Sequence, residues 1–238
     1  MNARRFLRFR LRSALIVCTV FCVLLALIVL PAYRERRAAE ALIARGAMVY
    51  YAKQLDQDGN FRTAPTTTRW DQAWLHCDLT DHVGLVVLYN CSIEKEDIAH
   101  LRYLPQLERL DFCEPAVSDD WLPQLARLRK LRRLHLNYAS ISDDGLEHLQ
   151  PLENLEDLSL YHTKVSDAGL GLLLSLKQLR VLKLGATQLE GQNLTQLGSL
   201  NNLEELDLVA PGITESDAQE IAELQRALPK CKITWEDF

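Results

Sequence analysis

Residues Leu155–Gln178 read LEDLSLYHTKVSDAGLGLLLSLKQ, and the 24 residues before them, Leu131–Asn154, read LRRLHLNYASISDDGLEHLQPLEN. Laid one on the other, the two stretches match in apolar pattern along their whole length. The same 24-residue block starts again at Val83, Leu107, Leu179 and Leu203, which makes six blocks over residues 83–226. Block position 4 holds Val86, Leu110, Leu134, Leu158, Leu182 and Leu206, and position 6 holds Leu88, Phe112, Leu136, Leu160, Leu184 and Leu208. This alternation is the period of a strand with one buried face. Positions 16, 19 and 22 are apolar at helical spacing in every block. Each block is therefore expected to be a short strand followed by a short helix. None buries its apolar side alone, so stacking must supply the core. Ser118, Ser142 and Ser166 precede Asp-rich turns, where a side-chain oxygen can cap a helix start and carboxylates favour its positive end.

The LxxLxLxx core at this period resembles the leucine-rich repeat family. The block tails Ser142-Asp-Asp-Gly-Leu146 and Ser166-Asp-Ala-Gly-Leu170 are similar to the subclass with helical convex sides, found in F-box leucine-rich proteins and many bacterial repeat proteins. The resemblance covers about 60% of the chain. It implies an α/β solenoid, a horseshoe with a parallel concave sheet and short convex helices. It says little about function, because the family hosts receptors, adaptors and inhibitors alike. Two departures stand out. The ninth position, often Asn in such repeats, holds Cys91, Pro115, Ala139, Thr163, Thr187 and Pro211, which predicts an irregular ladder in blocks two, three and six. No F-box motif precedes the repeats, so the ubiquitin-ligase role of those relatives does not carry over.

Ahead of the repeats lies Ala14–Leu30, seventeen residues without a charge. With Ser13 and Pro31–Tyr33 it is long enough to cross a hydrocarbon core of about 30 Å. A cleaved signal peptide would have a shorter apolar run and a small-x-small site. Ala32 finds Leu30 two positions before it instead, so a retained transmembrane helix is the preferred reading. Five arginines (Arg4, Arg5, Arg8, Arg10, Arg12) precede the span, and Arg34, Arg36 and Arg37 follow it. That bias favours a cytoplasmic N-terminus, a single-pass protein in the cell membrane and an exocytoplasmic body. Both basic clusters also suit anionic headgroups.

The expected organisation is a basic segment over 1–13, a transmembrane helix over 14–33 and a juxtamembrane stalk over 34–48. An N-terminal cap follows over 49–82, then the repeats over 83–226 and a closing strand over 227–238. Within the first cap, Met48–Ala52 is strand-like, Asp58-Gly59 suits a tight turn, and Trp70 and Trp74 share a helix-sized face. In the last, Cys231, Ile233 and Trp235 alternate.

The charge is uneven. Residues 1–37 carry eight Arg and one Glu, and the rest carries nineteen basic and thirty-one acidic residues, a net of −12. A body so acidic repels a phosphate backbone, which argues against nucleic acid as a partner. Six dispersed cysteines without a CxxC pair fit neither a zinc site nor a dense disulfide framework; an isolated Cys77–Cys91 bridge stays open. No phosphate-binding loop, HExxH or nucleophile elbow is present. The Asp56-Gln-Asp58-Gly59 run lacks the later acidic ligand of a calcium loop. Asn90-Cys-Ser92 and Asn193-Leu-Thr195 match the glycosylation sequon. No catalytic residue, cofactor or metal is expected.

The concave face is the place to expect binding. Positions 3, 5 and 7 point there, and Arg109, Asp111, Arg133, His135, Asn137, Tyr161 and Lys183 form a central patch. Arg and Tyr are favoured at protein interfaces. The bland alternative is a merely solvated sheet face, and Asp111 beside His135 is a weak hint of a metal or acid–base pair. The leading functional expectation is a non-catalytic, membrane-anchored protein-binding scaffold. A structural envelope protein without a selective partner, or the regulatory arm of an enzyme complex, are the alternatives.

Overall fold

The computed structural model describes residues 18–23, 25–55, 82–89, 91–113 and 115–235, and only the backbone of Cys113. Expectations for residues 1–17, for most of the cap segment including Asp58-Gly59, Trp70, Trp74 and Cys77, and for Asn90 lie outside the described residues.

Among the described residues a single eight-stranded sheet carries the fold, with strands in chain order: β1 (Met48–Tyr51), β2 (Val83–Tyr89), β3 (Arg109–Cys113), β4 (Arg133–Leu136), β5 (Asp157–Ser159), β6 (Val181–Lys183), β7 (Glu205–Asp207) and β8 (Lys232–Thr234). β1 runs antiparallel to β2; every later pair is parallel. The pairing register from β2 to β7 is the 24-residue period itself, with Leu110 beside Leu134, Leu158, Leu182 and Leu206 in turn. Position-4 and position-6 side chains are buried in all six blocks, as are positions 16, 19 and 22 apart from Ala218. They join one continuous core that runs from Ala38 to Cys231.

The return segments are shorter and tighter than a plain helical reading suggests. They comprise α-helical turns at Lys95–Ile98, Asp143–Leu146 and Leu170–Leu173, and 3-10 runs such as Asp119–Arg127 and Leu194–Ser199. Pro123 inside the Asp119–Arg127 run cannot donate the bond an α-helix needs. Only the last block has a longer helix, Ala218–Ala227.

The serine caps turn out otherwise. Ser166 accepts from Ala168 N, but Ser118 and Ser142 cap nothing. Ser118 Oγ instead donates to Asp120 Oδ1 at 2.7 Å, and Ser142, like Ser166, is held by a carboxylate of the block before. Asp119 of block two accepts from Ser142 N at 2.9 Å and Ser142 Oγ at 2.6 Å in block three. Asp143 does the same for Ser166 in block four, again at 2.9 and 2.6 Å. Asp167 reaches the backbone N–H groups of Glu190 and Gln192. The glycine of the motif completes this clamp. A Cβ on Gly145 would lie 2.2 Å from Asp119 Oδ1, and one on Gly169 would lie 2.2 Å from Asp143 Oδ1. Ser-Asp-x-Gly-Leu is thus a joint between blocks: Asp reaches forward, Ser receives it, and Gly makes room.

The expected irregularity at position 9 does not reach the sheet. Thr163 and Thr187 donate to Leu160 O and Leu184 O within their own turns. Blocks with Ala139 or Pro115 lack that donor, yet β2 to β8 pair without a register shift among the described residues. Backbone bonds such as Tyr138 N to Tyr161 O at 2.9 Å carry the ladder there.

A helix spans Cys18–Ala44 with a wider π-turn at Leu25–Val29. Its first part is exposed and apolar, and by length and composition it suffices to cross a membrane. Its last part, α1 (Leu30–Ala44), starts within the expected transmembrane segment (14–33) and runs through most of the expected stalk (34–48), and it lies against the first block. Ala38, Ala39 and Leu42 are buried in the core. Glu35 Oε1 accepts from Val83 N at 2.5 Å, Arg45 Nε bonds Asp97 at 3.2 Å, and Ser92 N bonds Arg45 O at 3.0 Å. This helix end and β1 together cover the open end of the solenoid.

Candidate functional site

On the sheet face away from the core, strand register sets the neighbours. Position 3 brings Arg109 beside Arg133, then Asp157, Val181 and Glu205. Position 5 brings Asp111 beside His135, Ser159, Lys183 and Asp207. Like charges directly opposite one another are unfavourable, and Asp111 relieves the arginine pair. Its carboxylate takes Arg109 Nε at 3.0 Å and the Arg109 terminal nitrogen at 2.8 Å. His135 Nδ1 lies 3.2 Å from Asp111 Oδ1 on the other side, and His135 Nε2 lies 3.4 Å from Asp157 Oδ1. The second contact has ion-pair distance without hydrogen-bond alignment, and Asp157 Oδ1 is buried with no hydrogen-bond donor among the described residues.

Burial pushes the Asp157 carboxyl up, but His135 first, then Arg133 and Lys183, pull it down further. The net is a group held below its ordinary value and ionised at neutral pH. Arg133 contributes by charge alone: its guanidinium makes no hydrogen bond or ion pair among the described residues. Lys183 reaches only 3.9 Å from Glu205. Ser159 Oγ donates to Asn137 Oδ1 at 2.6 Å, which fixes the amide.

The seven residues expected on this face lie on neighbouring strands but differ in how they are bonded. Arg109, Asp111 and His135 form an ion-pair chain that reaches Asp157. Arg133, Asn137, Tyr161 and Lys183 retain valence toward solvent. No group of three His, Cys, Asp or Glu side chains among the described residues is placed to hold a metal.

Two residues that the sequence reading passed over join the second set. Tyr138 and His162 occupy block position 8, just past the strand, with φ of 62° and 56°. That left-handed conformation suits Gly or Asn and costs a bulky residue about 1 kcal/mol. Both nevertheless carry rings, and the rings meet. Tyr138 stacks edge-on against Tyr161 with centroids 5.6 Å apart, and its centroid lies 5.1 Å from that of His162. Tyr138 is 52% exposed and Tyr161 36%. Gly185 makes the arrangement possible, since a Cβ there would come within 3.0 Å of the Tyr161 ring and 2.9 Å of Asp207. The signal was present in the block alignment as aromatic residues standing where the turn wants Asn or Gly, but the left-handed turn is visible only once the strand ends are placed.

No family model matches the chain, and no curated protein matches it. Among solved structures it is similar to internalin C2 of Listeria monocytogenes, at 23% identity and a TM-score of 0.44 over 57% of this chain and 54% of that one. It is also similar to a leucine-rich-repeat protein of Leptospira interrogans, at 24% identity and 0.41 over 60% and 34%. A plant peptide hormone receptor in complex with its peptide matches at 27% and 0.38 over 49% and 18%. The chain thus spans about half or less of each. Likenesses of this depth decide nothing about function. The fold class rests on this chain's own repeats: an α/β solenoid of leucine-rich-repeat type, with a parallel sheet lining one face.

Proposed function

We propose that this protein is a non-catalytic, membrane-anchored scaffold that holds a segment of a partner protein on its concave sheet. The observation that carries the reading is the exposed Tyr138–Tyr161–His162 cluster, in which Tyr138 and His162 sit on left-handed backbone that is strained for a bulky residue. Strain at non-glycine positions persists where the surrounding structure enforces it, and it concentrates at functional sites. Aromatic rings with a polar tip are the commonest anchors of protein interfaces. Arg133, lacking an ion-pair partner among the described residues, offers an adjacent point for a carboxylate. In this reading residues 14–33 cross the bilayer, the N-terminus is cytoplasmic and the body faces outward. The docking of α1 on block one then fixes the body to its anchor without a flexible stalk.

Affinity capture from native membranes, with the full chain in mild detergent, tests this. Run beside it is the Arg133→Glu/Tyr161→Glu variant, after both show the same thermal unfolding. A protein retained by the native chain and lost with the variant places binding on this face. Identical captured sets from the two would refute it and favour a structural role.

A further inference from the structure

Each block turns twice, once where the chain enters its strand and once where it leaves, so the solenoid has two rims. The entry turns at 102–108, 126–132, 150–156, 174–180 and 198–204 carry seven Lys or Arg against four Glu. The exit turns, block positions 8–15, carry two Lys against eleven Asp or Glu among the described residues. The net acidity of the body is thus gathered on the exit rim, where the clamp carboxylates Asp119, Asp143 and Asp167 must stand. The entry rim is under no such demand and has the opposite sign. Two of its pairs neutralise themselves, Arg132 with Glu156 at 2.8 Å and Arg180 with Glu204 at 2.9 Å. That leaves Arg102, Arg127, Arg129, Lys130 and Lys177, all exposed, against Glu108 and Glu153. None of the five makes an ion pair among the described residues. Where they bond, the acceptor is neutral: the Tyr103 hydroxyl, the Pro151 carbonyl and the Ser199 hydroxyl.

The N-terminal helix leaves the body on this side. α1 runs beside β2 in the same direction: Glu35 meets Val83 N where β2 starts, and Arg45 meets Ser92 N and Asp97 beyond its end. The apolar part of the helix, which precedes α1, therefore projects past the entry rim. Leu30, the last residue of the uncharged run, lies five residues before Glu35, about 7.5 Å at a rise of 1.5 Å per residue. The headgroup layer of a bilayer is about 5–7 Å deep on each side of the hydrocarbon. With the uncharged run in the hydrocarbon, the entry rim comes level with the headgroup surface, and Arg34, exposed on α1, falls within that layer. Burial of Ala38, Ala39 and Leu42 holds the body at this height. We infer that the entry rim lies on the membrane surface, with Arg102, Arg127, Arg129, Lys130 and Lys177 against anionic phospholipid headgroups and the acidic exit rim turned away. The inference rests on the reading of residues 14–33 as a transmembrane helix. Basic side chains near an anionic surface are each attracted to it, and the exit rim is repelled, so both rims favour the same orientation. The strands then rise away from the bilayer, and the sheet face proposed to hold a partner opens sideways along it.

Lysine footprinting tests this on the full native chain. The protein is reconstituted into nanodiscs of phosphatidylcholine alone or of phosphatidylcholine with phosphatidylglycerol, treated with a water-soluble acetylating reagent, and read by mass spectrometry. Lys130 and Lys177 report the entry rim, and the exposed Lys164 on the exit rim is the internal reference. Acetylation of Lys130 and Lys177 relative to Lys164 should fall at least about threefold when the anionic lipid is present, and high salt should restore it. The variant Arg102→Glu/Arg127→Glu/Arg129→Glu, once its thermal unfolding matches that of the native chain, should lose the protection at both lysines. Equal labelling ratios for the native chain in the two lipids, or protection that survives in the variant, overturns the inference. Alkaline carbonate extraction from vesicles separates the two readings. A chain that stays in the membrane but shows no lipid-dependent protection refutes the rim contact alone. A chain that carbonate strips off refutes the transmembrane helix, and the rim contact with it.

Discussion

Replacing Gly145 by Ala should destabilise this protein, against the usual rule. Gly145 lies in a helical turn (Asp143–Leu146), where Ala is worth up to about 1 kcal/mol over Gly. Here the added methyl would lie 2.2 Å from Asp119 Oδ1 and 2.9 Å from Leu122 Cδ1. The Asp119 carboxylate must then withdraw from Ser142 N and Ser142 Oγ. Hydrogen bonds to a charged group contribute about 1.5–3 kcal/mol each when sheltered, and this site is part-buried, so both together are worth about 3 kcal/mol after discount. Subtracting the helical gain leaves a net loss of about 2 kcal/mol, or a fall in Tm of roughly 4–8 °C for a domain of this size. The control lies one block on. Gly171 has only Gln196 Oε1 nearby, at 3.5 Å, so Gly171→Ala should raise Tm by about 1–3 °C. The cycle with Asp119→Ala is sharper still. Once the carboxylate is gone, the methyl meets only Leu122 Cδ1, the end of a flexible side chain, at 2.9 Å, and Gly145→Ala should destabilise much less than in the native background. Circular dichroism melts of the full chain in detergent read all four. A Gly145→Ala variant that melts at or above the native temperature would refute the clamp.

Tyr138→Asn should hold or raise Tm, because Asn tolerates the left-handed turn, while partner capture falls at least about tenfold; a lower Tm with capture intact would make the ring structural. Inserting one residue after Leu160 should move later apolar positions off the core face and unfold blocks four to six. Inserting a whole 24-residue block should leave Tm within a few degrees; equal melting of the two insertions would contradict the solenoid period. Asp157 is held below its unfolded-state value, so its contribution to stability is present above the ordinary carboxylate range and lost as pH falls through the lower folded value. The difference in unfolding free energy between native protein and Asp157→Asn should therefore be constant at neutral pH and shrink in acid. A difference that grows on acidification would reverse the assignment. Cys231, which burial and then Glu205 push up to about 11, should react with thiol reagents at pH 8 only as the protein unfolds.

How much of this was legible in the sequence depends on what repeats. The core was, because Leu110, Leu134, Leu158 and their equivalents must meet one another in any stacking that buries them. The parallel sheet follows from the same arithmetic; the closing strand, which lies outside the period, was legible from the alternation of Cys231, Ile233 and Trp235. The clamp was half legible. Ser142 and Asp143 read naturally as a helix cap, since local bonding is the first explanation for Ser-Asp before a helix. Nothing within one block reveals that Asp119 arrives from the block before. The glycine was the clue: Gly inside a helical turn is unfavourable unless something occupies the space of its Cβ. The docking of α1 was hidden because a segment between an apolar helix and a repeat domain carries no periodicity that separates a free stalk from a packed cap. Ala38, Ala39 and Leu42 do lie on one helical face, yet a stretch so short and alanine-rich fits either role.

The residues that depart from the period are the ones left to do something other than fold. At position 8, Ala186 adopts the left-handed turn with φ of 54° and satisfies it with a methyl, so the fold itself does not ask for Tyr138 or His162 there. At position 7, Gly185 gives up packing and accepts the entropy cost of glycine so that the Tyr161 ring can lie across it. At position 3, Arg109 is answered by Asp111 within its own strand while Arg133, its equivalent one strand over, finds no such partner among the described residues. Each departure is neutral or costly for stability on its own, and the three fall together on blocks three to five, on one face. A solvated surface under selection for solubility alone would scatter such costs around the solenoid. Their convergence on one stretch of sheet is what supports the proposed recognition surface over a merely wet one.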